Sequence, residues 1–486
     1  MSSEPGVLAR NTSYFTFALV AQKVISFLYF TFLARLFGPE QMGKYVFALS
    51  LTTIFSVFLD VGLATVLTRE VAREPAVAER YVRLIFGFKV LASWLVVAAV
   101  AATVNLLGYP ELTRQLVYLA CLVMVLDSFI LSAYSAIRGF HTLLWESLGT
   151  ILVQVILAVA GVLVSLLTHD LRAFMAALAL AVSVHFIYAL WQLKGRFGVQ
   201  LKPLFNWPGW RSLLVLTWPF ALGAILTRAY GYVDTVLLSF LAGDRAVGLY
   251  SIAYKITFAL QFIPTAFAAS LLPGFSSYFV ADKAKLAQVF SRSVVYLTAI
   301  AMPVSLGIMT LAPEIIRSIY PAYVESIVPL QILIGSLIFL FATFPVGSLL
   351  PACNRQGRHT LNIGLAAACD VALNLVLIPR YGPWGAALAS FISTAVLLAL
   401  GWSVARHLVQ YDGRDLSLRL LKIFFSGLVM AALAWQLKSF VHFTAVIPLA
   451  GVVYLTLLIG LGGVSWSELK LLWQIVIRRK GMGEAV

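Results

Sequence analysis

The sequence predicts an all-α polytopic membrane protein of about fourteen transmembrane helices, built as two parallel six-helix lobes with two further helices at the C-terminal end. Three observations carry this. First, 61% of the 486 residues are hydrophobic and only 11% are charged, against about 25% charged in soluble domains. Surfaces that apolar cannot face water, so lipid is the solvent for most of the chain. Second, apolar runs of bilayer-spanning length recur from one end of the chain to the other. Third, the sequence repeats internally at a shift of 205 residues.

The spans fall near 13–37, 44–67, 84–107, 113–135, 143–167, 172–193 and 212–240, then near 246–272, 288–311, 326–350, 359–378, 384–405, 420–437 and 443–463. The first run is longer than a signal-peptide core and lacks a small-residue cleavage site, so it reads as a retained span. Connections are short, with the longest about 16–18 residues. No soluble domain fits between the spans, and any chemistry lies within the membrane. The expected organisation is an N-lobe over 1–200, a C-lobe over 201–410, spans 13 and 14 over 411–464, and a tail over 465–486. In the tail, Trp466, Leu469, Leu472, Trp473 and Val476 share one helical face, predicting an amphipathic helix on the cytoplasmic leaflet.

Net charge is +15, with basic residues scattered singly between apolar runs. This distribution suits anionic lipid rather than nucleic acid. With the amino terminus inside, the inward loops and tails carry 23 of the 35 Lys and Arg, the outward loops carry seven, and five lie within spans. The positive-inside rule therefore places both termini in the cytoplasm. Cys121, Cys353 and Cys369 have neither disulfide nor metal-ligand spacing. No metal site, cofactor-binding motif or catalytic constellation is expected.

The repeat places Leu33–Thr52 on Leu238–Thr257 with seven of twenty positions identical, including Gly38 on Gly243, Gly43 on Gly248, Tyr45 on Tyr250 and Ala48 on Ala253. Shared apolarity does not produce matched glycines and tyrosines. A second echo sets Gly139, His141 and Thr142 against Gly357, His359 and Thr360 at the start of the fifth span of each series.

Two runs resemble a known family. FLARLFGPEQMGKYVFALSLTTIFSVFLDVGLATVLTREVA, Phe32 to Ala72, is similar to the start of polysaccharide-export flippases of the multidrug/oligosaccharidyl-lipid/polysaccharide superfamily. NLVLIPRYGPWGAALAS, Asn374 to Ser390, resembles the turn between their eleventh and twelfth helices. The resemblance implies a carrier of lipid-linked oligosaccharide, a polyprenyl-diphosphate glycan moved from the cytoplasmic to the outer leaflet by alternating access. It also implies polysaccharide polymerase and glycosyltransferases as partners, but names no sugar and transfers no site residue.

Ionisable groups inside spans are costly and generally face a cavity or a partner. The cations are Lys23, Arg35, Lys89, Arg228 and Lys255. Lys23 and Arg228 stand one repeat shift apart, at matched depths, and with Lys255 they form the candidate diphosphate site. The opposing reading pairs each with a carboxylate for packing. Arg35 and Lys89 lie near span ends and read as interfacial. The carboxylates Asp60, Asp127, Asp234 and Asp370 are candidates for coupling transport to H+ or Na+, or for bonding a neighbouring helix. Asn374 lies one turn from Asp370. Trp207, Trp210, Trp402 and Trp466 fall near predicted interfaces and read as belt residues, and Pro219, Pro264, Pro303 and Pro345 are candidate kinks, Pro264 and Pro345 also candidate hinges.

The competing functions are a peptidoglycan-precursor flippase and a cation-coupled drug exporter. A membrane glycosyltransferase fits less well, since it needs clustered carboxylates and a sizeable loop, and neither is present.

Overall fold

The computed structural model describes residues 5–466 and 468, with side chains from Ala21 onward except at 219 and 220. The described residues are helical with short connections and no strand. Within lipid, only intrahelical hydrogen bonds satisfy the backbone of each span locally. The chain divides into two compact units, 1–251 with 374–383, and 252–373 with 384–486.

The first unit contains α1 (Pro5–Phe55), α2 (Val57–Asp60), α3 (Leu63–Arg73), α4 (Ala78–Leu106), α5 (Glu111–Gly139), α6 (Leu144–Ile156), α7 (Val162–Thr168), α8 (Leu171–Phe197), α9 (Trp207–Ala242) and the start of α10 (Asp244–Ala259). A π-helical turn, Leu157–Gly161, joins α6 to α7. Here α5 packs on α3, α4 and α8, and α1 packs on α6 and α9. The second unit contains the rest of α10, α11 (Phe262–Ala281), α12 (Lys283–Ile319), α13 (Ile327–Ala352), most of α14 (Gln356–Tyr381), nearly all of α15 (Pro383–Leu408), α16 (Gly413–Leu437) and α17 (Phe443–Gly460). Its core gathers Phe275, Phe290, Leu349, Leu350, Ile423 and Tyr454, and the Tyr454 hydroxyl donates to the Ala299 carbonyl at 2.7 Å.

Among the described residues, twelve helices are long and apolar enough to cross a membrane, or 13 if the bent pair Trp207–Trp218 and Ala221–Ala242, inclined at 63°, is one span. About fourteen were expected. Part of the difference lies at Gly38, whose non-helical backbone (φ 72°, ψ 177°) kinks α1 into two helices where the sequence separates two spans, so that two expected spans are counted as one. Gly243, its repeat partner, adopts nearly the same backbone (φ 83°, ψ 174°). Only glycine takes this conformation without a Cβ clash. The repeat thus reproduces a bend as well as a sequence.

Immediately after each bend the two copies meet inside the first unit. A Cβ placed on Gly43 would lie 1.7 Å from the Asp244 carbonyl oxygen, and one on Gly248 would lie 1.8 Å from the Pro39 carbonyl oxygen. Since Pro39 and Asp244 are themselves repeat partners, the contact is reciprocal, like a local two-fold interface. Small residues permit such backbone approach between membrane helices. Beside the seam, Lys44 pairs with Glu40 at 2.7 Å and Asp244 at 3.4 Å, and Ser239 donates to Asp244 at 3.2 Å.

Three readings from sequence are corrected. Lys89 is not interfacial but wholly buried. Trp210 is no belt residue either, since it is buried and its indole N–H donates to the Leu84 carbonyl at 2.9 Å. Pro264 sits in the first turn of α11, just past the break between α10 and α11, where its missing N–H has no helical partner to lose. It is not mid-span. The predicted tail helix beyond Glu468 lies outside the described residues. At its start, Ser465 and Glu468 form a capping box: Ser465 N–H and Oγ–H donate to Glu468 Oε2 at 2.9 and 3.0 Å, and Glu468 N–H donates to Ser465 Oγ at 3.2 Å.

Candidate functional site

A cavity of about 400 Å³ opens inside the first unit among α1, α2, α5, α6, α8 and α9. Its walls carry Asp60, Asp127 and Arg228, three of the charged groups singled out by their depth in predicted spans. Around them stand Tyr134, Arg138, Glu146 and His185.

Asp60 is positioned by a helix break. Val61 (φ 42°) and Gly62 (φ 80°) are both left-handed, ending α2 and starting α3 in the middle of the predicted second span. For a β-branched residue such as Val61 this conformation is strained, and strain of this kind gathers at functional sites. Asp60 Oδ1 accepts the freed N–H of Ala64 at 3.3 Å. Its charge is met by Lys89 Nζ at 3.6 Å, and Lys89 also donates to the Ser128 carbonyl at 2.6 Å. A wholly buried ammonium needs such partners because desolvation would otherwise favour its neutral form.

Arg138 and Glu146 close a two-pronged ion pair across the turn between α5 and α6, with Arg138 Nε donating to Glu146 Oε2 at 2.7 Å and Nη2 donating to Oε1. One turn earlier, the Tyr134 hydroxyl shares a hydrogen bond with His185 Nε2 at 2.8 Å. Gly149 makes room for that pair, since a Cβ there would lie 2.0 Å from the Tyr134 hydroxyl. Asp127 and Arg228 differ from these groups. Both are exposed to the cavity, and among the described residues neither makes a hydrogen bond or ion pair.

The other candidate residues lie elsewhere. Lys23 is exposed on α1 and does not line this cavity, and Lys255 is half-buried in the second unit. Asp234 is buried in the first unit and accepts from the Tyr250 hydroxyl and the Asn374 side-chain amide, both at 2.8 Å. Asp370, buried in the second unit, accepts from Ser393 at 2.9 Å. Sequence reasoning passed over Tyr134, Arg138, Glu146 and His185. Only His185, an ionisable residue inside an apolar span, carried a signal that would have found it. Among the described residues no group of three or more His, Cys, Asp and Glu could hold a metal ion.

The second unit has its own cavity of about 780 Å³, walled by Phe339, Leu398, Trp402 and Phe424 with Ser403 and Arg406 on its lining.

Helices long and apolar enough to span a membrane, packed around an ionisable pocket, define a polytopic membrane protein with polar groups held at membrane depth. Comparison with known proteins makes the class specific. The chain belongs to the polysaccharide biosynthesis protein family, whose model matches residues 8–279. It is 22% identical over 400 residues to the capsular polysaccharide biosynthesis protein CapF of Staphylococcus aureus, covering 80% of this chain and 97% of that protein. It is 23% identical to a Haloferax volcanii protein described as "Probable low-salt glycan biosynthesis flippase Agl15", over 91% of this chain and 92% of the other. In fold it matches the lipid II flippase MurJ in an inward closed conformation, with a TM-score of 0.76 at 16% identity over 91% of this chain and 97% of MurJ. The chain is thus a member of the polysaccharide biosynthesis protein family with the fold seen in the lipid II flippase MurJ and in a multidrug transporter of the multidrug/oligosaccharidyl-lipid/polysaccharide superfamily.

Proposed function

We propose that the protein flips a lipid-linked oligosaccharide, a polyprenyl-diphosphate glycan, from the cytoplasmic to the outer leaflet of the cell membrane by alternating access. The observation that carries this reading is the membrane-depth cavity with a guanidinium on its wall, Arg228, that has no partner among the described residues, in a member of a polysaccharide biosynthesis family. A diphosphate is costly to move through a low-dielectric interior unless cations meet it. At about 4 Å a unit charge pair is worth roughly 1 kcal/mol in water and roughly 4 kcal/mol at an effective dielectric near 20. Lys23, Arg228 and Lys255 supply those cations. Glycosyltransferases that assemble the glycan and a polymerase that consumes it are the partners this role requires.

The test is glycan export by intact cells at matched protein level. Lys23→Ala and Arg228→Ala are each expected to abolish export, and Lys23→Arg to retain part of it, because charge survives where geometry changes. Full export by the Lys23→Ala, Arg228→Ala double variant would sink the diphosphate reading and favour a drug exporter. Rescue of peptidoglycan-precursor flipping in place of glycan export would assign the cargo to that pathway.

Coupling to an H+ or Na+ gradient through at least one of Asp60, Asp127, Asp234 and Asp370 belongs to the same proposal. Each carboxylate→Asn variant keeps size and removes charge, and at least one is expected to flatten the response of export to pH or sodium. Wild-type rates and wild-type ion responses in all four would remove coupling from these residues.

A further inference from the structure

The cavity of the first unit gathers unspent hydrogen-bond acceptors on one part of its wall and a guanidinium on another. Thr52, Thr53 and Ser56 line it, but their hydroxyl protons are already given to the carbonyls of Ala48, Leu49 and Thr53, at 2.9, 2.6 and 2.7 Å. Each hydroxyl oxygen keeps lone pairs to offer and no proton. Asp127 adds a carboxylate with no partner among the described residues, exposed to the cavity. Beside it on the same wall, Ser128 is 6% exposed, and its buried hydroxyl, able both to donate and to accept, has no hydrogen-bond partner among the described residues. Asp60 and Glu146, by contrast, are already paired with Lys89 and Arg138. Arg138 is held by Glu146 through its Nε and Nη2, whereas the Arg228 guanidinium on the same lining has no partner among the described residues.

A ligand that satisfies this wall must donate several hydrogen bonds to acceptors around Asp127 and present an anionic group to Arg228. A bare diphosphate lipid does the second and not the first, since phosphate oxygens accept only. A hydrocarbon chain does neither. A sugar ring does the first through adjacent hydroxyls, which a carboxylate accepts as charge-assisted hydrogen bonds. At about 400 Å³ the cavity lies near the small end of ligand pockets, with room for a saccharide unit and not for a long glycan.

We infer that this cavity is a saccharide subsite, in which Asp127 receives the hydroxyls of a sugar unit of the cargo while Arg228 holds the neighbouring anionic group. This rests on the carrier reading above and adds to it: Arg228 serves affinity for any diphosphate lipid, and Asp127 serves discrimination by sugar. A site built to hydrogen-bond a substrate hydroxyl penalises a ligand lacking it, because the buried polar groups are left unmet.

The test is equilibrium binding of the purified full chain in lipid nanodiscs, followed by intrinsic tryptophan fluorescence. The probes are polyprenyl diphosphate alone and the same lipid bearing one hexose, one N-acetylhexosamine or one hexuronic acid. The wild type is expected to bind at least one sugar-bearing lipid about tenfold more tightly than the bare lipid, the worth of one hydrogen bond to a charged group. Asp127→Ala is expected to erase that preference while changing affinity for the bare lipid less than about twofold. Asp127→Asn, which matches the native size, is expected to keep only part of the preference. Arg228→Ala is expected to weaken all the lipids alike. Binding of the bare lipid by each Asp127 variant shows that it is folded. Equal wild-type affinity for bare and all sugar-bearing lipids would overturn the subsite and leave the diphosphate carrier standing. A preference surviving Asp127→Ala would also overturn it, as would a variant whose preference is intact and whose only change is in the pH or sodium response of export. No wild-type binding to any of the lipids would instead defeat the carrier reading.

Discussion

Gly43→Ala and Gly248→Ala are each expected to destabilise the protein by about 3 kcal/mol, the upper range for overpacking. The added methyl carbon would sit 1.7 Å from the Asp244 carbonyl oxygen in the first case and 1.8 Å from the Pro39 carbonyl oxygen in the second. In each case the obstacle is backbone and not a side chain that can turn aside, so relief requires the two segments to separate. Separation also stretches the Lys44–Asp244 ion pair, 3.4 Å long in the closed seam. Because the two glycines face one shared contact, a seam opened by the first substitution already has space for the second. The double variant should therefore cost clearly less than the sum of the singles. Thermal unfolding in detergent, followed by tryptophan fluorescence, measures this. The control is Gly451→Ala in α17, where a Cβ meets nothing within 4 Å and helix propensity favours alanine by about 1 kcal/mol. Single variants as stable as the wild type, or strictly additive losses, would show that the seam is not closed as described.

Lys89→Met should be the most damaging single change at the polar pocket, costing about 3–5 kcal/mol, as expected when one partner of a buried ion pair is removed. Methionine roughly keeps the length of the side chain, so the loss isolates the charge. Without the ammonium, Asp60 faces the cavity with only the Ala64 N–H, 3.3 Å away, and the Ser128 carbonyl loses its 2.6 Å donor. Asp60→Asn alone leaves Lys89 as a buried cation bonded to one carbonyl, and is expected to cost a comparable amount. The Lys89→Met, Asp60→Asn double variant removes both charges together and should recover most of the loss, since exchanging a buried pair for neutral groups is often close to neutral. A double-mutant cycle on unfolding midpoints reads the coupling. Independent, additive losses would mean that Lys89 is held by the Ser128 carbonyl and not by Asp60.

The sequence identified membership and depth better than it identified partners. Asp60, Asp127 and Arg228 each stood out as a charge inside an apolar run, Arg228 also as the repeat match of Lys23, and all three line one cavity. Nothing in the chain order shows that α2, α5 and α9 bring them there. Lys89 was misplaced because its distance from a span end was read as its distance from water. The carbonyl of Ser128 and the carboxylate of Asp60, on two other helices, bury it instead. The glycine repeat was legible as identity at matched positions, yet its purpose, backbone against backbone at Gly43 and Gly248, was not. An absent side chain leaves no chemical trace of what fills its place.

By itself, then, the sequence determined that this is an all-helical chain in lipid, about where its spans lie, and that Gly38 and Gly243 are matched positions of an internal repeat. The first two follow from local rules, apolar run length against bilayer thickness and backbone hydrogen bonds closed within each helix, whereas the bend that both glycines make came from the structure. Tertiary structure alone decided which charges are spent and which are free. Asp60 and Glu146 have cations while Asp127 and Arg228 have no partner among the described residues, although all four are charged groups near apolar spans. The difference is in which helix faces meet, and in a membrane those faces are chosen by close packing and polar contacts, because lipid supplies no hydrophobic drive to bring helices together.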